Sequence, residues 1–468
     1  MKSFIALALS GLLLPTFLLP TSLALAAPVT TSEALIKAVS EASGDTIIEI
    51  AAGTFQLPGQ LIIKAGTTLK GAGMEETILT NAPTFKGNPA TLPDPEQNYK
   101  KFDRSGYLIQ LEEKTSDITI SDLTLTGPNL HGAIFGWGNQ KLHLHHLKIE
   151  NFMYSGFRSY DTRELKLHDC LFIDAGQRWE KGQPGLKGGI TGGGIFTFWL
   201  KDSEIFNNRF LDTKPEPNFH YYGIKGRQAK RVHIHHNTIE TNFSIEFAFE
   251  NDEDVEIDHN ICHGTISIPK HGGGPVPESG STFHIHHNYF KNGYSIEYMR
   301  NGAEIHHNLF DFDSQKDGSN LISEFGKTPA KGPTDFHNNL INNPGRGVIW
   351  MNAPYAGLTF RNNHIIARPT PTPRKEGLFG FHPECHFKTF TFTDNIIECI
   401  GLPRPLFRND ESGQSKLSNN ELTNISDTHR YKNPATSHKS GLEEPLKFKC
   451  GRNGELTVDG WNTKLSPQ

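Results

Sequence analysis

Long segments with the apolar spacing of a helix are missing from the middle of this 468-residue sequence, and no run approaching 18 apolar residues follows residue 26. The first absence favours strands, and the second excludes a later membrane-spanning helix. A surplus of basic residues is also missing, because 46 lysines and arginines stand against 51 aspartates and glutamates. Without a basic field, nucleic acid is not an expected partner.

Cysteine is scarce, with five residues in the whole chain. We expect Cys170 and Cys262 to be buried thiols, because both lie in strand-like repeats. Cys385, Cys399 and Cys450 are candidates for one late disulfide, whose pairing the sequence leaves open.

The N terminus contains one lysine, a long apolar stretch from Phe4 to Leu25, and the small-x-small string Ala24-Leu25-Ala26. This pattern is typical of a secretory signal peptide over residues 1–26. We therefore expect the mature chain to begin near Ala27 and to be secreted or periplasmic.

The most regular feature is a tetrapeptide related to Ile-His-His-Asn, which returns at intervals of roughly 20 to 30 residues. Its copies end at Asn237, Asn260, Asn288, Asn308, Asn339, Asn363 and Asn395, and weaker copies end at Leu123, Leu147, Cys170 and Asn208. Self-similarity at this period is typical of a stacked-repeat architecture.

Each copy follows a short alternating stretch such as 231–234 and precedes an apolar pair such as Leu309-Phe310, a pattern of strand, turn and strand. We expect the strands to stack in parallel about 4.8 Å apart, with the asparagine amides forming an internal ladder. The His-His pairs would then be turn residues on the outside of the coil.

The segment 32–40 predicts a short amphipathic helix, with Thr31 or Ser32 as its N-cap, that covers one end of the solenoid. Together with the strand-like segments 44–55 and 61–73, the repeats give a chain that resembles the right-handed parallel β-helix proteins of the pectate-lyase-like superfamily. The resemblance covers about residues 31–400. The resemblance implies an all-β solenoid. The chain is similar to secreted polysaccharide lyases, although it matches no single family of them. We expect a signal peptide (1–26), a β-helix domain (27–400) and a C-terminal cap or tail (401–468).

Two stretches, 242–248 and 293–299, match almost residue for residue, and each carries a glutamate, Glu246 or Glu297. If Ile245 and Phe247 point inward, strand alternation points Glu246 outward. The same alternation in the other coils predicts that one column of outward side chains runs along the solenoid axis: Arg158, Lys225, Glu246, Ser267, Glu297 and Glu324. Stacked like charges repel, so this column is a candidate functional site. The alternative is a solvated strand face whose charges discourage aggregation.

The resemblance implies a first chemistry, in which a uronic-acid polysaccharide lies along the column and is cleaved by β-elimination. The candidates for the base are Lys225, Arg227, Lys270 and Arg300, and Arg227 beside Lys225 gives a physical route to the depressed pKa that a base needs. Tyr222 or Tyr160 would be the general acid at the leaving oxygen. The carboxylates that would bind Ca²⁺ are Glu246, Glu250 and Glu297. The side chains expected to bind the polymer are Arg158, Tyr160, Tyr221, Lys270, His271, Tyr298, Arg300 and Trp350.

Two departures from known lyases leave the identity of the base open: the sequence has neither an Arg-x-Pro-x-x-Arg string nor a Glu-x-Glu followed by Ser-Lys.

A second chemistry is glycoside hydrolysis by paired glutamates. Glu297 and Glu324, on adjacent coils, would lie about 5 Å apart as in retaining enzymes, and Glu246 and Glu297 about 10 Å apart, near the inverting limit.

The third alternative is a non-catalytic carbohydrate-binding or adhesive β-helix protein, which needs aromatic rings and charge but no proton transfer. We rank a secreted polysaccharide-degrading enzyme that acts by elimination first. Epimerisation begins with the same proton abstraction and stays open. We expect a monomer whose only macromolecular partner is the polysaccharide.

Overall fold

The computed structural model describes residues 27–86, 104–128, 130–176, 192–213, 221–247, 252–267, 283–291, 296–297, 303–311, 320–324, 333–344, 347–351, 357–367, 377–381, 389–401, 403–408, 415–426, 448–450 and 456–458. The segment 1–26, interpreted as a signal peptide, lies outside these residues. No helix in the described part has the length and apolar character needed to cross a membrane.

The regular elements are one α-helix, one 3₁₀ turn at Arg104–Gly106, two large parallel sheets and a small antiparallel pair. The α-helix is Ser32–Glu41. The 13-stranded sheet comprises Leu61–Ile63, Tyr107–Leu111, Gly132–Trp137, Ser155–Tyr160, Gly192–Phe198, Tyr221–Arg227, Phe243–Phe247, Thr265–Ser267, Ile296–Glu297, Asn320–Glu324, Gly347–Met351, Phe379–Phe381 and Phe407–Arg408. The 26-stranded sheet comprises Thr46–Glu49, Gly53–Leu57, Thr67–Lys70, Thr77–Asn81, Ser116–Thr126, Gln140–Glu150, Arg163–His168, Leu171–Ile173, Lys201–Phe206, Arg209–Leu211, Lys230–His235, Thr238–Glu240, Glu253–Asp258, Ile261–Cys262, Phe283–His286, Tyr289–Lys291, Ala303–His306, Leu309–Asp311, Thr334–His337, Leu340–Asn342, Leu358–Arg361, His364–Ala367, Phe390–Thr393, Ile396–Cys399, Ser415–Ser418 and Glu421–Thr423. The antiparallel pair is Phe448–Cys450 and Leu456–Val458.

One coil contributes one strand to the 13-stranded sheet and two to the 26-stranded sheet. The strand Tyr221–Arg227 is followed by Lys230–His235 and Thr238–Glu240, and the chain then returns to the 13-stranded sheet at Phe243–Phe247. Each strand pairs in parallel with its counterpart in the next coil. The predicted all-β solenoid of parallel coils is confirmed.

Strand alternation decides which side chains fill the solenoid. In Lys230–His235, Val232 and Ile234 are buried in the core, whereas His233 and His235 lie on the opposite side and are partly exposed. Because alternate side chains of a strand point to opposite faces, each coil places one apolar set inside and one polar set outside.

The predicted asparagine ladder is present at the turn between the two strands that each coil gives to the 26-stranded sheet. The Nδ2 of each asparagine donates to the Oδ1 of the next at 3.0–3.1 Å, and the backbone N–H donates to the same oxygen. Its members are Asn208, Asn237, Asn260, Asn288, Asn308, Asn339, Asn363, Asn395 and Asn420. The ladder pairs the buried polar groups that a sharp turn would otherwise leave without partners.

The His-His pairs lie outside the coil, as predicted. The second histidine of each pair adopts the left-handed backbone that the turn needs, with φ of 55° at His236, 56° at His287 and 52° at His307. Histidine is among the residues enriched in that region. Their rings stack from coil to coil, and the His287 and His307 centroids are 5.1 Å apart.

The N-terminal helix is capped and placed as expected. The Thr31 Oγ1 accepts a hydrogen bond from the Ala34 N–H at 3.1 Å, which makes Thr31 the N-cap. Leu35 and Val39 are buried in the core against the first coils. The helix therefore covers the apolar end that an open solenoid would expose.

The coils extend further than predicted. Strands Ser415–Ser418 and Glu421–Thr423 continue the registers of the preceding coil, so the boundary placed at residue 400 falls too early. The sequence signal for this additional coil is the string 417–420, Leu-Ser-Asn-Asn, whose last residue continues the asparagine ladder.

The described cysteines Cys170, Cys262 and Cys399 are free and buried, which confirms the expectation for the first two. Burial raises the pKa of the Cys262 thiol to about 12. Cys399 was one of three candidates for a late disulfide, and it carries a free thiol instead.

Candidate functional site

One register position runs the length of the 13-stranded sheet on the side away from the core. The residues at this position are Ile62, Gln110, Phe135, Arg158, Phe196, Lys225, Glu246, Ser267, Glu297, Ser323, Trp350, Gly380 and Arg408. The sheet therefore aligns five of the six residues expected in the column. It places Phe196 on the coil between Arg158 and Lys225, which the sequence had left unassigned.

Glu324 does not belong to this column. Ser323 pairs with Glu297, and Glu324 pairs with Met351 one position further along. The register is set by Ile322, which aligns with Ile296. Glu297 and Glu324, predicted as the pair of a retaining enzyme, are therefore not in register with each other.

The centre of the column is an ion pair between Lys225 and Glu246. The Lys225 Nζ lies 2.8 Å from the Glu246 Oε1, and each residue is only 4% exposed. The flanking Ile245 and Phe247 point into the core, so the pair lies on the other side of the sheet. Burying two charges outside the apolar core costs desolvation energy, so this pair is a candidate functional site.

Aromatic rings enclose the ammonium group of Lys225. Its Nζ is 4.4 Å from the centroid of Tyr222 and 5.3 Å from that of Phe196. Tyr222 is itself 3% exposed. A cation against two ring faces gains quadrupole attraction that grows as water is removed.

Arg158 lies two coils away and is completely buried. Its Nε donates to the Tyr160 hydroxyl at 3.1 Å, and its guanidinium carbon lies 4.8 Å from the Tyr154 centroid and 4.7 Å from that of Phe196. Burial opposes the charge, but the surrounding tyrosine oxygens outweigh it and raise the pKa of Arg158. These contacts hold the Tyr160 hydroxyl in place, and the expected contact of Arg158 with substrate stays a prediction.

A second register position, adjacent to the column, carries three stacked rings, which we call the ring ladder: Trp137, Tyr160 and Phe198. Trp137 and Tyr160 have centroids 4.9 Å apart, and Tyr160 and Phe198 4.6 Å apart. Trp137 and Phe198 are partly exposed. Stacked rings with accessible edges form an amphipathic surface suited to a ligand that has both apolar and polar faces.

Each end of the ring ladder carries a guanidinium. The Arg104 carbon Cζ lies 4.6 Å from the Trp137 centroid, and that of Arg227 lies 5.0 Å from the Phe198 centroid. Arg227 occupies the same register position as Phe198, on the next coil. The sequence predicted Arg227 and Tyr160 but missed Arg104, Trp137 and Phe198. Strand alternation could have identified Trp137 and Phe198, because each lies two residues after the column position of its own strand.

Other predicted site residues have different placements. Tyr221 is fully buried, and burial together with nearby Asp212 and Asp174 raises its pKa well above the ordinary value. Its predicted contact with the polymer stays a prediction. Trp350 is partly exposed at the column position. Five predicted residues lie outside the described part of the chain: Glu250, Lys270, His271, Tyr298 and Arg300.

The expected Ca²⁺ ligands are only partly described. Among Glu246, Glu250 and Glu297, the structure describes the side chain of Glu246 alone. That carboxylate is held by Lys225. A Ca²⁺ ion at Glu246 would therefore have to displace an ammonium group that already neutralises it.

Comparison with known families finds one match, to the right handed beta helix region, over residues 133–310. The comparison with curated proteins found no match. The chain is similar in fold to the A-module of the mannuronan C-5 epimerase AlgE4 of Azotobacter vinelandii, at 15% identity and a TM-score of 0.40, with 89% of this chain and 100% of that chain covered.

Two further similar structures are PfbA, a surface adhesin of Streptococcus pneumoniae, and an alginate lyase from Paenibacillus. The adhesin is 11% identical with a TM-score of 0.45, and 91% of this chain and 94% of that chain are covered. The lyase is 13% identical with a TM-score of 0.34, and 71% and 93% are covered. These likenesses concern the fold alone. The family match and the stacked parallel coils together identify this chain as a right-handed parallel β-helix.

Proposed function

We propose that this protein is an exported, polysaccharide-active enzyme that cleaves a uronic-acid polymer by β-elimination on the 13-stranded sheet. The observation that carries the proposal is the buried Lys225–Glu246 pair, which lies beside Tyr222 and next to the ring ladder. An ion pair of this kind gives the fold little net stability, so a chemical role accounts for it better than a structural one.

The pair changes the role we assign to Lys225. The Glu246 carboxylate, 2.8 Å away, already holds the Lys225 side chain, so we do not assign Lys225 as the base. Lys225 would instead bind the substrate carboxylate, which makes the α-hydrogen more acidic. Glu246 would hold Lys225 in position.

Tyr222 is the residue best placed to move the proton. The ammonium group of Lys225 lies 4.4 Å from its ring, so a substrate carboxylate bound to Lys225 would lie near the phenol. The phenolate oxygen would take the proton from the carbon α to the carboxylate, a carbon–carbon double bond would form, and the glycosidic bond would break. The new phenol would return that proton to the leaving oxygen, so one residue acts as base and then as acid.

The ring ladder and its two arginines supply the binding surface in this proposal. The accessible edges of Trp137 and Phe198 would contact sugar rings, and the exposed Trp199, at 38%, extends that surface. Arg104 and Arg227 would bind carboxylates of neighbouring uronate units, for which a guanidinium is the preferred partner. Because the Lys225–Glu246 pair is buried, productive binding would have to open the surface above it.

Hydrolysis is the second candidate, favoured by the register of Glu246 and Glu297. Ser267 lies between them at the same position, so their strands are two steps, about 10 Å, apart along the axis. That separation lies near the upper limit for inverting enzymes.

The test is to incubate the purified mature protein, with and without EDTA, with alginate, pectate, chondroitin, heparinoid and ulvan-type polymers. Growth of the ultraviolet absorbance of an unsaturated uronate on one polymer would support elimination, and its loss in EDTA would support Ca²⁺. Release of reducing ends without that absorbance would favour hydrolysis. Binding without turnover would favour an adhesive β-helix and would overturn the enzyme proposal.

Variants separate the roles. Tyr222→Phe removes the proton-transfer oxygen and keeps the ring against Lys225, so we expect kcat to fall at least a hundredfold with little change in KM. The control is Tyr289→Phe, on the other sheet, which should leave both unchanged. Full activity of Tyr222→Phe would show that another residue moves the proton.

A further inference from the structure

The outer face of the 26-stranded sheet carries histidines and carboxylates in a regular pattern that the proposed reaction does not use. The register aligns Glu204, His233 and Glu256 at one position of three adjacent strands. His235 and Asp258 share the position two residues further along. Because residues two apart in a strand share a face, His233 and His235 project side by side from one strand.

These side chains lie close enough to share one small ligand. The His235 Nε2 is 3.0 Å from the Glu204 Oε1, and the His233 Nε2 is 3.0 Å from the Asp258 Oδ1. The centroids of the two imidazoles are 4.1 Å apart. In Glu204, His233 and His235, one donor atom from each residue lies within 4.8 Å of the other two.

The same spacing recurs once more around His233. The donor atoms of His233, Glu256 and Asp258 also lie within 4.8 Å of one another. Within the described ranges, three donors converge only in these two groups. Elsewhere on this face is a pair of the same residue types, His364 and Glu398, whose Nε2 and Oε1 are 3.2 Å apart.

The residue types select the kind of ion. Imidazole nitrogens with one or two carboxylates suit zinc and its neighbours in the first transition row, whereas Ca²⁺ and Mg²⁺ prefer oxygen alone. Two ligands on a tetrahedral zinc, each bonded at 2.0–2.1 Å, lie about 3.3 Å apart. The two histidine–carboxylate distances are close to that value, so binding would need only small side-chain movements.

We propose that Glu204, His233 and His235 bind one divalent transition-metal ion of the zinc class, with Asp258 within reach as a fourth ligand. The ligands come from three successive coils, so the ion ties those coils together on the sheet that does not carry the Lys225–Glu246 pair. Its role is to stabilise the solenoid.

Binding is measured on the full mature chain after chelator treatment and dialysis, by calorimetric titration with Zn²⁺ and by the visible spectrum of Co²⁺. We expect one ion per chain at micromolar or tighter affinity, a tetrahedral Co²⁺ spectrum and a higher Tm with Zn²⁺. His233→Gln and His235→Gln should each weaken binding at least tenfold. The matched control, His364→Gln, removes a histidine with one carboxylate partner and should bind as the parent does.

Several results would overturn the proposal. One is the absence of saturable binding by the parent protein, and another is unchanged affinity in both His233→Gln and His235→Gln with native circular dichroism. Glu204→Gln tests the ligand set, because unchanged binding in that variant together with loss in His233→Gln would move the ion to His233, Glu256 and Asp258. A variant that fails to fold is replaced by the Asn substitution at the same position.

Discussion

Lys225 and Glu246 occupy one register position on adjacent strands, and their charged atoms lie 2.8 Å apart with both side chains buried. The other sheet contains a matched pair, Lys230 and Glu253, also in register, with 2.6 Å between Nζ and Oε2 and both side chains exposed. The two pairs differ chiefly in burial, which allows the effect of burial to be measured within one fold.

Lys225→Met should lower the free energy of unfolding by about 3–5 kcal/mol, because it leaves the carboxylate of Glu246 buried without its partner. Lys230→Met should change it by less than about 1 kcal/mol, since water screens the exposed pair. Denaturant unfolding followed by circular dichroism measures both. The double variant Lys225→Met/Glu246→Gln should lose less than the sum of its single variants. Equal losses at Lys225 and Lys230 would contradict the reported burial.

Trp137→Ala should weaken binding of the anionic polymer about tenfold, or about 1.4 kcal/mol, because it removes a partly exposed ring from the ring ladder. Affinity electrophoresis with the polymer in the gel measures the change. Ile47→Ala is the control, since Ile47 is the most exposed large apolar residue described and lies on the other sheet. An equal effect of both substitutions would argue against the ring ladder as the binding surface.

Asn288→Ala should destabilise the protein by at least about 2 kcal/mol. The Oδ1 of Asn288 accepts hydrogen bonds from the backbone N–H and the Nδ2 of Asn260, and both donors would remain buried. The shift of the denaturation midpoint measures the loss. Asn342→Ala, at a partly exposed position beside Asp311, should cost under about 1 kcal/mol. An equal loss of stability in the two variants would contradict a stabilising role of the asparagine ladder.

His306→Phe should make the stability less dependent on pH. Burial, with the neighbouring histidines, lowers the pKa of His306 to about 3, whereas an unfolded histidine titrates near 6.5. Between these values the unfolded chain binds the extra proton, so stability falls as the pH drops from about 6.5 towards 3. Phenylalanine carries no proton, and Phe206 already occupies this register position, stacked 5.0 Å from His235.

The measurement is Tm against pH for the parent and for His306→Phe. We expect a smaller drop on acidification in the variant and little difference above pH 7. His145 and His287, whose pKa values burial lowers to about 4, contribute in the same direction and keep some dependence in both proteins. A steeper drop in the variant would reverse the assigned sign.

The fold could be predicted because each repeat carries its structural information locally. An inward isoleucine, a turn residue and a ladder asparagine follow one another in nearly every coil, and each has one physical role. The long intervals between some copies do not change the register of the described strands on either side.

The site was harder to predict. Counting from the ladder asparagine placed Glu246 and Glu297 correctly in the column, because their coils have matching sequences. The same counting failed at Glu324, where Ile322 sets the register and leaves Ser323 in the column. Outward direction did not imply exposure: Lys225 and Arg158 are buried by side chains from neighbouring coils, and single-strand periodicity contains no information about those contacts.

The asparagine ladder makes the solenoid uneven along its length. From Asn208 onward each amide polarises the next, so these coils should open and close together as one cooperative block. The earlier coils have the buried Leu123, Leu147 and Cys170 at the same place, and these side chains carry no amide that could extend the ladder. The Cys170 N–H donates to the Asn208 Oδ1, so the coils with the asparagine ladder meet the earlier coils at this hydrogen bond. A pulling or hydrogen-exchange experiment should therefore find a boundary there, beside the strands that carry Phe196 and Lys225.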